Sequence, residues 1–379
     1  MCSKSEHCIQ HGNGATQNIG AFEETAQIHT MGSRFKWFLL ILTLIVCSIL
    51  FRLYKMDTYQ FIKSGILEIA QVKTKAASSF SERIVEPGII FVEATDKVEP
   101  SPLAVCSVES AARLNPEKKV YYFMKGLSGK LSQYPHPNYT GIPLLSAISN
   151  VVLVPMNVPE LFENTPLDKW YQKVNPELEK YWIHVLADGC RIALVWKYGG
   201  IYLDTDIISI KPLPIANFTT LEDDTRLGNA AFGFHIKHHQ FVLECMKDFV
   251  ANYIGHIWGQ QGPQLITRVL RRWCKFNDTD KLAVEECNGI TVCNKRRFAP
   301  IPYQNWTRYF DSWKKEDIES VFSGTYGAHV WNYMNTNSGM TRKVIAGSGS
   351  LIEHFFQMYC PTTYRSFIQF PKNPESIRT

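Results

Sequence analysis

The chain has 379 residues, 45% of them hydrophobic and 13% aromatic, enough for one large α/β core with accessory segments. Its formal net charge is only +5, which gives no basis for a nucleic-acid partner. None of the spacings among its ten cysteines resembles a zinc site.

Residues 1–34 are polar, contain glycine and lack apolar periodicity, so they read as an unstructured cytosolic tail. Residues 35–54, FKWFLLILTLIVCSILFRLY, predict a single transmembrane helix. The apolar core, Trp37 to Phe51, is 15 residues, short for a full span. Lys36 and Arg52 can snorkel to the two interfaces and extend it. A long preceding tail argues against a cleaved signal peptide, and the lack of a polar face against a core helix. The short span suits the thinner membranes early in the secretory route. Flanking charges do not set the orientation, since Arg34 and Lys36 face Arg52, Lys55 and Lys63. Four sequons, at Asn138, Asn217, Asn277 and Asn305, follow the anchor and favour a lumenal C-terminal part. Seven cysteines also follow it, an odd number that leaves at least one unpaired.

Residues 55–87 mix Lys, Ser, Ala and Glu and read as a stem. From residue 88 the pattern changes to strand (GIIFVEAT), helix (Leu103 to Arg113) and strand (VYYFMKG). Val151 to Pro155 adds another buried strand. This order predicts an α/β domain over 88–372, followed by a short tail, 373–379.

Leu178 to Pro212 predicts a helix, a two-glycine break and a strand. Leu178, Trp182, Val185, Leu186, Ala193 and Trp196 share one helical face, and Asp188 and Arg191 lie one turn apart on roughly the opposite one. Gly199-Gly200 ends the helix. Ile201-Tyr202-Leu203 suits a buried strand, with Asp204-Thr205-Asp206 at its C-terminal edge, where open α/β sheets bind ligands. Two carboxylates at i and i+2 of an extended segment project to one side, and their repulsion calls for a divalent cation with hard oxygen ligands. Such an ion would bridge a diphosphate and stabilise the charge on it as it leaves. Asp278-Thr279-Asp280 repeats the tripeptide, but no apolar strand precedes it, so it reads as a solvated turn.

Trp258-Gly259-Gln260-Gln261-Gly262, with two glycines, two amides and a ring, suits a plain turn or a loop lining a sugar site. Pro263 then opens a helix, QLITRVLRRW, whose Arg268, Arg271 and Arg272 read as a solvated basic face rather than a phosphate or membrane contact. In His329-Val330-Trp331-Asn332 the alternation puts His329 and Trp331 on one side if the segment is extended.

Val185 to Pro214 resembles the core of the α1,4-glycosyltransferases, a family with a galactosyltransferase and an N-acetylglucosaminyltransferase branch. Matching blocks are CSVESAAR (106–113), FMKGL (123–127), NTPLDKWY (164–171), WGQQGPQLITRVLRRWC (258–274), AHVWNYMN (328–335) and YCPTTYR (359–365). The resemblance implies a GT-A-like fold in a type II Golgi membrane protein, with a UDP-sugar at the C-terminal edge of the sheet. It implies that Asp204 and Asp206 hold manganese or magnesium, or divide the metal and the ribose, with His329 as a third ligand. By the same resemblance Asp188 and Arg191 touch the donor sugar, Asn229 and Trp331 join the donor pocket, and Gln261 is a candidate near the anomeric carbon. The reaction would retain configuration, by front-face attack helped by the leaving diphosphate. YGGIYLDTDIISIKPLP, HVWNYMN and the tail from Ser350 look closer to the N-acetylglucosaminyltransferase branch, implying UDP-GlcNAc and a terminal β-galactose of O-glycans. CSVESAAR, WGQQGPQL and CPTT fit the other branch, implying UDP-Gal and lactosylceramide.

Two departures stand out: Ala230, where the family usually has glycine after Asn229, and Gly189, where a small non-glycine residue is usual. Ala230 motivates an alternative, a catalytically silent glycan-binding homologue. A haloacid dehalogenase-type phosphatase also opens on Asp-x-Asp after a strand. It needs a downstream lysine and a second acidic cluster, and no convincing one is present.

Overall fold

The structure is a computed structural model that describes residues 86–127, 138–214, 217–277, 282 and 286–371, together with Leu42 and Ser48. The chain divides into two units, Met1–Ser64 and Gly65–Thr379. Of the first unit only Leu42 and Ser48 are described, both helical and exposed. The rest of the expected anchor, the tail before it, the stem up to residue 85, the C-terminal tail and the Asp278–Asp280 repeat lie outside the described residues. No described helix is long and apolar enough to cross a membrane.

The second unit has a mixed α/β fold. Its strands are β1 Gly88–Glu93, β2 Val120–Met124, β3 Val151–Pro155, β4 Gly200–Leu203, β5 Ile207–Ser209, β6 Phe218–Leu221, β7 Leu227–Phe234, β8 Glu286–Cys287, β9 Ile290–Cys293 and β10 Gly327–His329. The helices that matter for the site are α1 Pro102–Leu114, α2 Trp182–Tyr198, α3 Gln240–Ala251, α4 Pro263–Cys274 and α5 Leu351–Tyr359. Among the described residues, eight strands form one sheet in the order β3-β2-β1-β4-β7-β6-β9-β8, and β10 pairs with β5 in a second. β3, β2, β1 and β4 run parallel, and β4 then meets β7 antiparallel.

The parallel half follows from sequence. Ile89, Phe91, Val120 and Tyr122 pack with Val105, Val108 and Ala111 of α1. The alternate residues Ile90, Val92, Tyr121 and Phe123 pack with α2, α3 and α4. Covering both faces is what near-continuous apolar strands require. α2 begins at Trp182, later than the periodicity predicts. Leu178 belongs instead to a short 3-10 turn and is 79% exposed.

Gly199 and Gly200 take positive φ values of 69° and 108°. A Cβ on Gly200 would lie 2.2 Å from the Gly88 carbonyl oxygen, so only glycine lets β4 enter beside β1 directly after the helix. A third cluster, including Ile208, Tyr309, Trp331, Phe355 and Phe356, packs the C-terminal segment onto α1. The Cys106–Cys360 disulfide holds it there, and buried Glu109 accepts the N–H groups of Thr362 and Thr363. A second disulfide joins Cys274 to Cys287, leaving Cys190, Cys245 and Cys293 as the thiols among the described residues.

Candidate active site

β4 delivers Asp204 to the floor of a cleft of about 430 Å³. The two aspartates do not converge by strand alternation, as the sequence suggests. β4 ends at Leu203, and residues 204–206 form a tight turn closed by the Ile207 N–H donating to the Asp204 carbonyl at 3.0 Å. The turn, rather than the pleat, brings both carboxylates to one side. It is tied to β7, because the Asp204 N–H donates to the Ala230 carbonyl at 2.8 Å.

His329 arrives through β10, whose antiparallel register sets it opposite Ile207. The strand stops there, because Trp331 adopts a left-handed conformation, φ 60° and ψ 48°. That conformation costs a non-glycine residue on the order of 1–3 kcal/mol. In this turn the Asn332 N–H donates to Asp206 Oδ2 at 2.8 Å. Trp331 is buried, donates its indole N–H to the Ile301 carbonyl, and lays its ring 3.8 Å from that of His329. The two rings thus meet through a turn and not through the extended alternation expected.

Ligand-type atoms of Asp204, Asp206 and His329 all lie within 4.8 Å of one another. Two carboxylates and an imidazole fit a divalent cation such as manganese or magnesium. Each partner already in place leaves part of the set available. Asp206 uses Oδ2 on Asn332, while its Oδ1 lies 3.3 Å from His329 Nε2. Asp204 uses Oδ1 on the Tyr202 hydroxyl, at 2.5 Å, and on Arg191, at 2.8 Å.

Arg191 organises the other end. Besides Asp204, its guanidinium donates to the Asn229 carbonyl at 2.8 Å and lies 3.4 Å from Asp188 Oδ1. It also stacks over the Tyr202 ring at 4.7 Å. Asn229 in turn donates its amide to Asp188 at 2.6 Å. Three carboxylates therefore share one guanidinium and one imidazole, and burial and the nearby charges move them in different directions. Burial pushes the Asp188 carboxyl up to about 6, against the pull of Arg191 and Asn229. Burial also raises Asp204 despite Arg191 beside it. Burial would raise Asp206 as well, but the His329 charge and hydrogen bonds hold it below its ordinary value. His329 is held above its own, with Asp206 outweighing burial.

Gln261 lies in the cleft wall with its amide engaged by backbone. Its Oε1 accepts the Ile254 N–H, and its Nε2 donates to the Phe249 carbonyl. That arrangement clamps the loop before α4. Gly262 is tight for another reason, since a Cβ there would meet the Asn229 amide nitrogen at 2.4 Å and Asp188 Oδ2 at 2.9 Å. Ala230 lines the cleft, and its contribution to Asp204 is a carbonyl that needs no particular side chain.

Several residues escaped sequence reasoning. Tyr202 was findable, two positions before Asp204 on the same side of the strand. The Asn332 N–H was not, because nothing in the sequence announces the left-handed Trp331. The Glu222–Arg226 pair, 2.9 Å apart, also lines the cleft.

The comparisons with known proteins agree with this geometry. Residues 101–227 match the family described as glycosyltransferase sugar-binding region containing DXD motif, and residues 234–367 the α1,4-glycosyltransferase conserved region. The first match contains Asp204 and Asp206 and ends at the first residue of β7; the second contains His329. The chain is 44% identical over 285 residues to an α1,4-N-acetylglucosaminyltransferase of Homo sapiens, covering 75% of this chain and 82% of that protein. It is 42% identical over 286 residues to a lactosylceramide 4-α-galactosyltransferase of Mus musculus, covering 75% and 77%. A solved structure, PaToxG glycosyltransferase, overlaps 57% of this chain and 80% of its own at 18% identity and a TM-score of 0.39. The aspartate pair, the two family regions and the sequence relatives define a sugar-transferring enzyme. The chain belongs to the α1,4-glycosyltransferase family.

Proposed function

We propose that the protein is a GT-A-like, retaining enzyme that moves GlcNAc from UDP-GlcNAc to O4 of a terminal β-galactose on O-glycans. We place it in the Golgi membrane in type II orientation, with residues 88–372 in the lumen. The observation that carries the reading is the convergence of Asp204, Asp206 and His329 in a cleft. A divalent cation held there would neutralise the diphosphate of the donor. Arg191 holds Asp204 in its orientation and supplies positive charge beside it, while Asp188 and Asn229, locked to each other, face the donor sugar. Trp331 backs His329, and Gln261 keeps the loop before α4 in place. In the transfer itself the bond from the anomeric carbon to the diphosphate breaks as the bond to the acceptor O4 forms on the same face. The O4 proton passes to the departing diphosphate.

A second reading exchanges the substrates for UDP-Gal and lactosylceramide. The relatives named as lactosylceramide 4-α-galactosyltransferases, at 41–42% identity over about three-quarters of the chain, favour it. Full-length protein incubated with manganese, a panel of UDP-sugars, and β-galactosyl O-glycan and lactosylceramide acceptors decides between them. GlcNAc transfer supports the first reading and galactose transfer the second. No transfer from any donor leaves the silent homologue.

A further inference from the structure

One part of the cleft does nothing for the acids at its floor. Its wall is an aromatic group assembled from three distant segments: Tyr181 and His184 at the start of α2, Trp258 in the loop before α4, and Tyr333 just after β10. Trp258 stacks on Tyr333 with ring centroids 3.9 Å apart and planes 17° apart. His184 meets both edge-on, at 4.5 and 5.0 Å, and Tyr181 meets Trp258 edge-on at 5.3 Å. Trp258 is nevertheless 42% exposed, and neighbouring Ile257 likewise 42%. A rigid aromatic surface held open inside a cleft is a place for a ligand with an apolar face. Its position ties it to the acids. Tyr333 follows Asn332, which binds Asp206, and His184 lies one helical turn before Asp188.

We infer that Trp258 and Tyr333, with His184 at their edge, form the acceptor subsite and that they select a galacto-configured terminal sugar. The inference rests on the proposed α1,4 transfer. A galactose ring carries O4 axial on one face, which leaves the C–H groups at C3, C4 and C5 as an apolar patch on the other. Laid on an aromatic face by that patch, the sugar turns O4 away from the wall and toward the cleft. Hydrogens of C–H groups are drawn to the negative face of the ring, as ring edges are in aromatic pairs. A gluco-configured sugar has O4 equatorial, level with the platform, and loses the contiguous patch. Aromatic contact thus serves both affinity and the choice of attacking hydroxyl.

The test uses full-length protein in detergent micelles with manganese and UDP. Saturation-transfer NMR with methyl β-D-galactoside is expected to mark H3, H4 and H5 most strongly, with little effect on methyl β-D-glucoside. Strongest saturation at H1 and H2, or equal binding of the two glycosides, overturns the inference. In kinetic assays Trp258→Ala and Tyr333→Ala are expected to raise the acceptor KM at least about tenfold, while UDP affinity by calorimetry stays as in the native protein. Trp258→Phe keeps a ring and falls between. An unchanged acceptor KM in Trp258→Ala and Trp258→Phe also overturns the subsite. The two levels separate cleanly. Galactoside binding on the wall without transfer from any donor sinks the proposed function and leaves the subsite, whereas transfer indifferent to Trp258 does the reverse.

Discussion

Two regions of this molecule grip an aspartate with arginine, and they behave in opposite ways. On the face made by α3 and α4, buried Asp248 is held by Arg268 at 2.7 Å and Arg272 at 2.6 Å, with the Asn252 amide completing its partners. Two guanidiniums serve one carboxylate, so nothing is left for a ligand to satisfy. In the cleft the ratio is inverted, with Asp188, Asp204 and Asp206 drawing on Arg191 and His329. The first arrangement is a closed clamp between helices, and the second is a site short of positive charge. The balance of charge within each cluster, not the presence of charged residues, separates structure from function.

That contrast can be broken by mutation, and the largest effect is expected at the cleft floor. Asp206→Asn should lower turnover by on the order of a thousandfold, measured as sugar transfer from the best UDP-donor. An unchanged melting temperature would show that the fold survives. Full activity would remove Asp206 from the site.

The next prediction concerns Asp188 and uses metal-free protein in chelator. Its folded-state pKa of about 6 lies above the ordinary carboxyl value of 3.8, so the folded state binds this proton more tightly than the unfolded chain does. The stability it contributes is complete below the ordinary value and is lost as pH rises toward about 6, a change on the order of 3 kcal/mol. Asp188→Asn should flatten urea-unfolding midpoints across that window. Identical pH profiles for the two proteins would contradict the burial argument.

Arg191→Lys keeps a charge but loses the fork that reaches Asp204, the Asn229 carbonyl and Asp188 together. A fall in kcat of about ten- to a hundredfold is expected, with KM for the donor changing less. Smallest in its effect on function is Asp248→Asn. It should lower the unfolding free energy by about 2 kcal/mol, discounted because both arginines keep solvent contact, and leave UDP affinity intact. Loss of UDP binding in that variant would erase the distinction between clamp and site.

Much of this was legible in the sequence. The apolar runs of β1 to β4 and the apolar periodicities of α1, α2 and α4, with Gly199 ending α2 and Pro263 opening α4, carry their own signals. The antiparallel half does not. β6 reads FTTL, β7 contains Gly-Asn-Ala-Ala, and β8 and β9 sit around a short turn, so none shows an apolar run long enough to stand out. Arg268 and Arg272 read as a solvated face because their partner, Asp248, lies on another helix. Asp204 and Asp206 are visible as a motif, yet the turn that converges them and the left-handed Trp331 that completes their shell are not. Of the aromatic wall the sequence shows only the Trp258 loop as a candidate sugar contact, because its four residues come from three segments that only the fold brings together.

Calorimetric titration of UDP into full-length protein tests the central claim most directly. The account predicts binding that requires manganese or magnesium, disappears in chelator, and is lost in Asp206→Asn with the fold intact. UDP binding of equal affinity in chelator and in metal would contradict it, because the acidic turn would then have no part in holding the nucleotide.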